Sequence, residues 1–209
     1  MIKVLFVSSG NSGKISPIVK AQGDSLKEIG IDISYFLIEG KGISGYLKNI
    51  PMLKKHLRDN NHDIVHAHYS SSAYVASLAG AKPLVVSLMG SDIKSSSILK
   101  KIVNVFIKYI WDVTIAKSLD MYNSLGIKNI KIIPNGVDIN KFRPLDKREC
   151  QIELNWDKDK IHILFAADPE RKVKNYSLFD ESIKNARNKY QEIRTHYLKN
   201  ISTVHRYYF

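Results

Sequence analysis

A single cysteine, Cys150, stands in 209 residues, so an internal disulfide is excluded and no thiolate cluster for a metal can form. That usage fits a reducing, cytoplasmic compartment. Long apolar runs are missing as well. The longest candidate, residues 98–111, is interrupted by Lys100, Lys101, Asn104 and Lys108, short of the ~20 apolar residues a membrane-spanning helix needs. No small-residue cleavage site follows the apolar run at 2–7, which reads as a first strand rather than a signal peptide. Acidic residues are scarce: 20 Asp and Glu against 32 Lys and Arg leave a formal charge of +12. Such a balance points to nucleic acid, an anionic membrane surface or a phosphorylated ligand. Neither aromatics interleaved with a basic stripe nor a recognition-helix pattern is present, which argues against nucleic acid.

Two phosphate motifs are also lacking. Gly10 and Gly13 are separated by two residues where a P-loop has four, and Ile15 follows Lys14 where that motif has Ser or Thr. The G-x-G-x-x-G spacing of a dinucleotide site is absent too. Gly10, Asn11 and Gly13 nevertheless form a glycine-rich loop ahead of a helix, where backbone N–H groups and the helix dipole favour an anion. A plain strand-to-helix turn reads equally well. His66 and His68 share one side of a strand, yet no carboxylate or third ligand is spaced to complete a metal site. No metal is expected. His68, nearer the strand end, is the better candidate to face a ligand. Gly90 permits close backbone approach, and Asp92 offers either a carboxylate or a helix N-cap.

What the sequence does have is alternation. Apolar runs at 2–7, 31–38, 63–67, 83–88, 112–116 and 130–133 read as strands, separated by helical patterns over 16–30, 46–60, 72–79, 97–110 and 119–125. Residues 40–45 read as a flexible glycine loop. This order predicts a Rossmann-like α/β domain: a parallel sheet with right-handed crossovers, helices on both faces and ligands outside the carboxyl ends of the strands. Residues 146–160 are polar and read as a linker, in which Asp157-Lys158-Asp159 has the form of a metal motif but the wrong surroundings. A strand at 161–166 restarts the alternation, followed by a loop carrying Arg171, Lys172 and Lys174, a helix from Tyr176 and a strand at 193–198. A basic loop at a helix N-terminus suits a diphosphate by charge and by dipole.

Between these two runs lies residues 131–144, Lys-Ile-Ile-Pro-Asn-Gly-Val-Asp-Ile-Asn-Lys-Phe-Arg-Pro. Pro134 stops a strand, and Asn135-Gly136 supplies residues that tolerate positive φ. The pattern Pro134-Asn135-Gly136-Val137-Asp138, with Phe142 and Pro144, resembles the interdomain signature of glycosyltransferase family 4. Residues 63–68, Asp-Ile-Val-His-Ala-His, resemble that family's acceptor-side segment.

The resemblance implies the GT-B architecture: an acceptor-side Rossmann-like domain over 1–145, a linker over 146–160, and the start of a nucleotide-sugar-binding Rossmann domain over 161–209. It further implies a retaining, metal-independent transferase. The donor is a nucleotide-sugar, acting as co-substrate with no further cofactor, and the acceptor a glycan or lipid-linked molecule of polysaccharide or cell-envelope biosynthesis. By the same resemblance Lys174 and Arg171 hold the donor diphosphate, Lys174 being the firmer match. His68, Gly90 and Asp92 line the acceptor side, and Pro134, Asn135, Gly136 and Asp138 make the interdomain loop.

Two departures matter. Where the family's loop often reads His-Gly-x-Asp, Met89 replaces the histidine, so no catalytic residue is carried over. The family's Glu-x7-Glu segment is absent, and two strands with one helix cannot build a doubly wound sheet. The expectation is therefore a truncated, inactive chain of transferase ancestry. The alternative is a non-catalytic module that binds an acceptor or a membrane surface. For the latter, residues 98–111 set lysines beside apolar positions, as helices resting on anionic lipid do, which would place the protein at the inner face of the membrane. A core helix with a solvated lysine edge reads as well.

Overall fold

The computed structural model describes residues 1–11, 13–90 and 97–198, so Asp92 lies outside the described residues. The chain divides into two compact units, Met1–Gly136 and Val137–Phe209.

In the first unit six parallel strands, β1 (Lys3–Ser9), β2 (Asp32–Ile38), β3 (Ile64–His68), β4 (Leu84–Ser87), β5 (Val113–Ala116) and β6 (Ile130–Ile132), lie in the order β2-β1-β3-β4-β5-β6. Helices α1 (Pro17–Glu28), α2 (Gly42–Leu47), α3 (Asn49–Asp59), α4 (Ser70–Leu78), α5 (Ser97–Tyr109) and α6 (Leu119–Leu125) connect them. The crossover from β1 to β2 runs one way along the sheet and all later ones run the other way. Right-handed connections therefore put α1 on one face and the other helices on the opposite face.

Burial follows that division. Val4, Phe6 and Ile33 pack with Val19 and Leu26 of α1. On the other face Leu5, Val7, Val65, Ala67, Leu84 and Val86 meet Leu53, Ala73, Ala76, Val103, Ile107 and Leu125 from α3 to α6. The alternation that marks each strand in the sequence is thus a two-sided core. The expectation of helices over both faces holds, with the layers unequal. Among the described helices α1 alone covers the first face, and Val113 on β5 is left 38% exposed there.

The single helix expected over 46–60 is two. Pro51 lacks an N–H and would clash with the carbonyl of residue 47 inside a continuous helix, so the chain restarts at Asn49. The buried Asn49 side chain secures the break: its Nδ2 donates to the carbonyls of Glu39 (2.8 Å) and Gly45 (2.7 Å). The glycine loop is correspondingly ordered, part of it forming α2. A Cβ on Gly45 would come within 2.5 Å of the Gly40 carbonyl carbon, which fixes glycine there.

The turn expected at Asn135-Gly136 also differs. Neither residue has positive φ, and no atom lies near a Cβ placed on Gly136. The chain turns at Asp138 instead, whose Oδ1 accepts from the backbone N–H groups of Asn140 (3.0 Å) and Lys141 (3.1 Å). A carboxylate capturing two amides does the work assigned to a left-handed pair.

The second unit holds α7 (Lys147–Glu153), capped by Asp146, then β7 (Ile161–Phe165), a 3-10 turn at Lys172–Lys174, α8 (Tyr176–Arg187) and β8 (Ile193–Tyr197). β7 and β8 pair in parallel as a two-stranded sheet.

Candidate functional site

Strand order reverses between β1 and β3, the place where open α/β sheets receive ligands, outside the carboxyl ends. The loop after β1 is fastened to the loop after β2. Gly10 N–H donates to the Ile38 carbonyl (2.8 Å), Gly13 N–H to the Gly10 carbonyl (2.8 Å), and Asn11 Oδ1 accepts from Gly40 N–H (2.8 Å). A Cβ on Gly10 would fall 2.8 Å from Leu37 Cβ, so this glycine serves close packing. The Gly10 and Gly13 amides expected to face an anion are thus already hydrogen-bonded within the loops.

The polar content of the site lies on the strands. Register aligns Phe6 with His66, and His68 with Ser87 and then Ile115. Ser8, His68 and Ser87 therefore share one lateral row on the α1 side of the sheet, with Lys117 just past Ile115 on β5. His68 stacks on His66 at 4.3 Å and meets the Phe6 ring at 4.6 Å. His66 Nε2 lies 2.9 Å from Ser87 Oγ, into which Lys117 Nζ donates at 3.3 Å. With Lys117 donating, the Ser87 hydroxyl proton is free to point at a neutral His66.

Burial sets the charge state. It drives His66 down to about 4, helped by the positive charge of Lys117, and His68 down to about 2, helped by His66 and Lys117. Both imidazoles are neutral at pH 7. Burial also lowers the pKa of Lys117. Neither ring nitrogen of His68 has a hydrogen-bond partner among the described residues, nor does Ser8 Oγ, although both side chains are buried. His68, a candidate from the sequence, is thus the floor of the site and not an open wall.

Around this row the backbone is strained. Tyr69 holds φ of 80°, rare for an aromatic residue, as the chain passes from β3 directly into α4, and its N–H donates to the Ser87 carbonyl (2.9 Å). Gly90, at φ of 97°, follows β4, and Met89 packs into the apolar cluster beneath α1. Methionine there adds an apolar contact where a histidine would carry a proton. Sequence reasoning missed Lys117 and Tyr69. Both are placed by register across β3, β4 and β5, which no local spacing records.

In the second unit Arg171 and Lys174 are exposed on the loop between β7 and α8. Lys174 ends the 3-10 turn, and Asn175, left-handed at φ of 53°, caps α8 by accepting from Leu178 N–H. Neither cation has an ion pair among the described residues. Pro134, Asn135, Gly136 and Asp138 are exposed along the connecting segment. Among the described residues no three His, Cys, Asp or Glu side chains gather as a metal site, and no helix is long and apolar enough to cross a membrane.

The family model of Glycosyltransferase Family 4 matches residues 3–141. No curated protein sequence matches. Among solved structures, the chain is similar to sucrose-phosphate synthase from Thermosynechococcus elongatus, at 12% identity and a TM-score of 0.70, covering 97% of this chain and 71% of that one. It is similar also to Anabaena HepE in complex with UDP and glucose, at 17% identity and a TM-score of 0.65, covering 100% of this chain and 64% of that one. A glycosyltransferase from Rickettsia africae matches at 17% identity and a TM-score of 0.58, covering 95% of this chain and 69% of that one. At these identities the likeness is one of fold, and the chain spans about two thirds of each structure's length.

Proposed function

Since the chain belongs to glycosyltransferase family 4, we propose that it serves sugar transfer from a nucleotide-sugar to a glycan or lipid-linked acceptor, with retention and without a metal. The observation that carries this reading is the family match over the whole six-stranded unit. In the proposed division of labour, the strand ends of the first unit take the acceptor. The loop after β1 shapes the floor there, and Gly90 with Asp92 follows β4. Lys174 and Arg171 take the donor diphosphate at the start of α8. Two cations without an ion pair among the described residues, on the loop that leads into α8, oppose the charge that builds on a departing diphosphate, and that electrostatic term is usually the largest in such transfers. An acceptor hydroxyl held in line supplies the rest by proximity.

The cations act only as well as they are held. Lys174 sits on the loop after β7, and the sheet behind that loop has two strands among the described residues, a scaffold that leaves such groups loosely placed. The 209-residue chain alone is therefore proposed to bind donor weakly and to turn nothing over. Calorimetric titration with a panel of nucleotide-sugars, beside a donor-hydrolysis assay, tests it. At most weak, salt-sensitive binding and no turnover are expected. Turnover abolished by Lys174→Ala would overturn the inactivity while keeping the transferase reading.

A second reading, a membrane-surface module, is favoured by α5. Ile98, Leu99, Ile102, Val105 and Tyr109 form an exposed stripe on it, beside the exposed Lys101 and Lys108. Apolar side chains flanked by lysine suit an anionic bilayer surface and would hold the protein at the inner face of the membrane. Co-sedimentation with vesicles should rise with anionic lipid content and fall in Ile102→Asp. Equal binding to neutral and anionic vesicles would leave α5 as a core helix with an open edge.

A further inference from the structure

Among the described residues Lys117 is the ammonium group that reaches the row of Ser8, His68 and Ser87, and it is half-buried. Its described hydrogen bond, to Ser87 Oγ at 3.3 Å, is to a neutral group. No carboxylate among the described residues forms an ion pair with it, and burial lowers its proton affinity. The imidazoles beside it are neutral, so they neither compensate nor share its charge. A cation drawn partly out of water without a counter-charge is costly, and so is each buried polar atom left without a partner. Here the two kinds of cost occur side by side. Lys117 lacks an anion, and His68 Nδ1, His68 Nε2 and Ser8 Oγ lack hydrogen bonds, all at the carboxyl ends of β1, β3, β4 and β5.

A neutral sugar hydroxyl could satisfy Ser8 or His68 but would leave the ammonium uncompensated. An anionic oxygen group answers the charge and brings several acceptor oxygens at once. We propose that Lys117, held in place by Ser87 and with the side chains of His68 and Ser8 behind it, seats a phosphate or carboxylate group carried by the acceptor. This rests on the acceptor side being the first unit, as argued above, and it narrows the acceptor to an anionic molecule. Lys117 is the binding group, and His66 orients Ser87 beneath it.

The test uses the whole 209-residue chain with inorganic phosphate and, separately, acetate at matched ionic strength, followed by the ring signals of His66 and His68 in NMR. Saturable shifts of these signals are expected with at least one of the two anions, and the tighter one identifies the group. Lys117→Met should weaken saturation about tenfold, the loss of one charge-assisted contact, and Lys117→Arg should restore most of it. Lys174→Ala should leave the His66 and His68 response unchanged. Circular dichroism confirms that each variant folds, and the wild-type response stands even if Lys117→Met does not. Shifts that stay linear with both anions, or equal saturation in a folded Lys117→Met, would overturn the proposal. Nucleotide-sugar titration separates the two readings. Anion binding at Lys117 without donor binding sinks the donor role of Lys174 and Arg171 alone, and donor binding without an anion response sinks the seat alone.

Discussion

The two units are written in the same alphabet of strand, helix and parallel strand, yet they bury it very differently. β1 encloses five consecutive residues, Val4 to Ser8, whereas no residue of β7 is fully buried. Among the described residues Ile183 and Ile193 are the buried apolar side chains of the second unit. The local signals are equally good in both, down to capped helices at Asp146 and Asn175. A sheet becomes a core only when neighbouring strands and a helical layer close over it, and two strands offer too little area for that. Propensity makes the elements of both units, and layer closure makes the first one stable.

The sharpest way to break this contrast is to hollow each sheet. Phe6, fully buried between α1 and the histidine rings, should cost ~3–5 kcal/mol when replaced by alanine, read from urea unfolding. Phe165 has ring contacts of its own, with Tyr176 and Phe179 at 5.1 Å, but is only half-buried. Phe165→Ala should move the main transition by less than ~1 kcal/mol. Equal losses would mean that the two units share one core.

Acid should separate the units next. His66 and His68 are neutral in the folded state, with pKa values of about 4 and about 2 against an ordinary 6.5. The unfolded chain takes up protons below about pH 6.5 that the folded chain refuses, so stability is full above that pH and falls as pH drops towards 4. Each tenfold difference in proton affinity between the folded and unfolded chain is worth about 1.4 kcal/mol, so the loss is on the order of a few kcal/mol. Burial lowers His62 in the first unit and His196 in the second in the same direction, through far less enclosed positions. Urea melts from pH 7.5 to 4.5 should show the fall, and His68→Gln should flatten it. A flat profile in the wild-type chain would show that the histidine pair opens to water.

Legibility in the sequence follows the same physics. Strands buried on both faces, as β1 is, announce themselves as apolar runs. The less buried β7 and β8 also lie where strands are expected, so all eight described strands fall at expected positions. Pro51 is equally readable as a helix break, but its effect hides behind the amphipathic pattern of 46–60, and Asn49, whose buried amide secures the break, looks like any loop asparagine. Asp138 takes the turn from Asn135-Gly136 because a carboxylate close to two amides outcompetes a left-handed pair that nothing forces. The row of Ser8, His68 and Ser87 with Lys117 has no local signature at all. Its members are scattered over about 110 residues, and only register brings them together. His68 is legible because it sits at a strand end, but its burial and lack of partners depend on Phe6 and His66 from other positions.

The smallest expected effect is the most informative about the two units. Residues 1–136 contain the whole six-stranded sheet, both apolar clusters and every described helix that covers them. If layer closure within this unit supplies the stability, cutting the chain after Gly136 removes a poorly buried pair of strands and little else. The fragment should then unfold in urea with the midpoint and the slope of the full chain's main transition, within about 1 kcal/mol. The full chain should show, besides, a weak early transition that the fragment lacks, since a two-stranded sheet opens at low cost. A fragment markedly less stable than the full chain would mean that the second unit completes the core of the first, and the contrast between a closed and an unclosed sheet would fail with it.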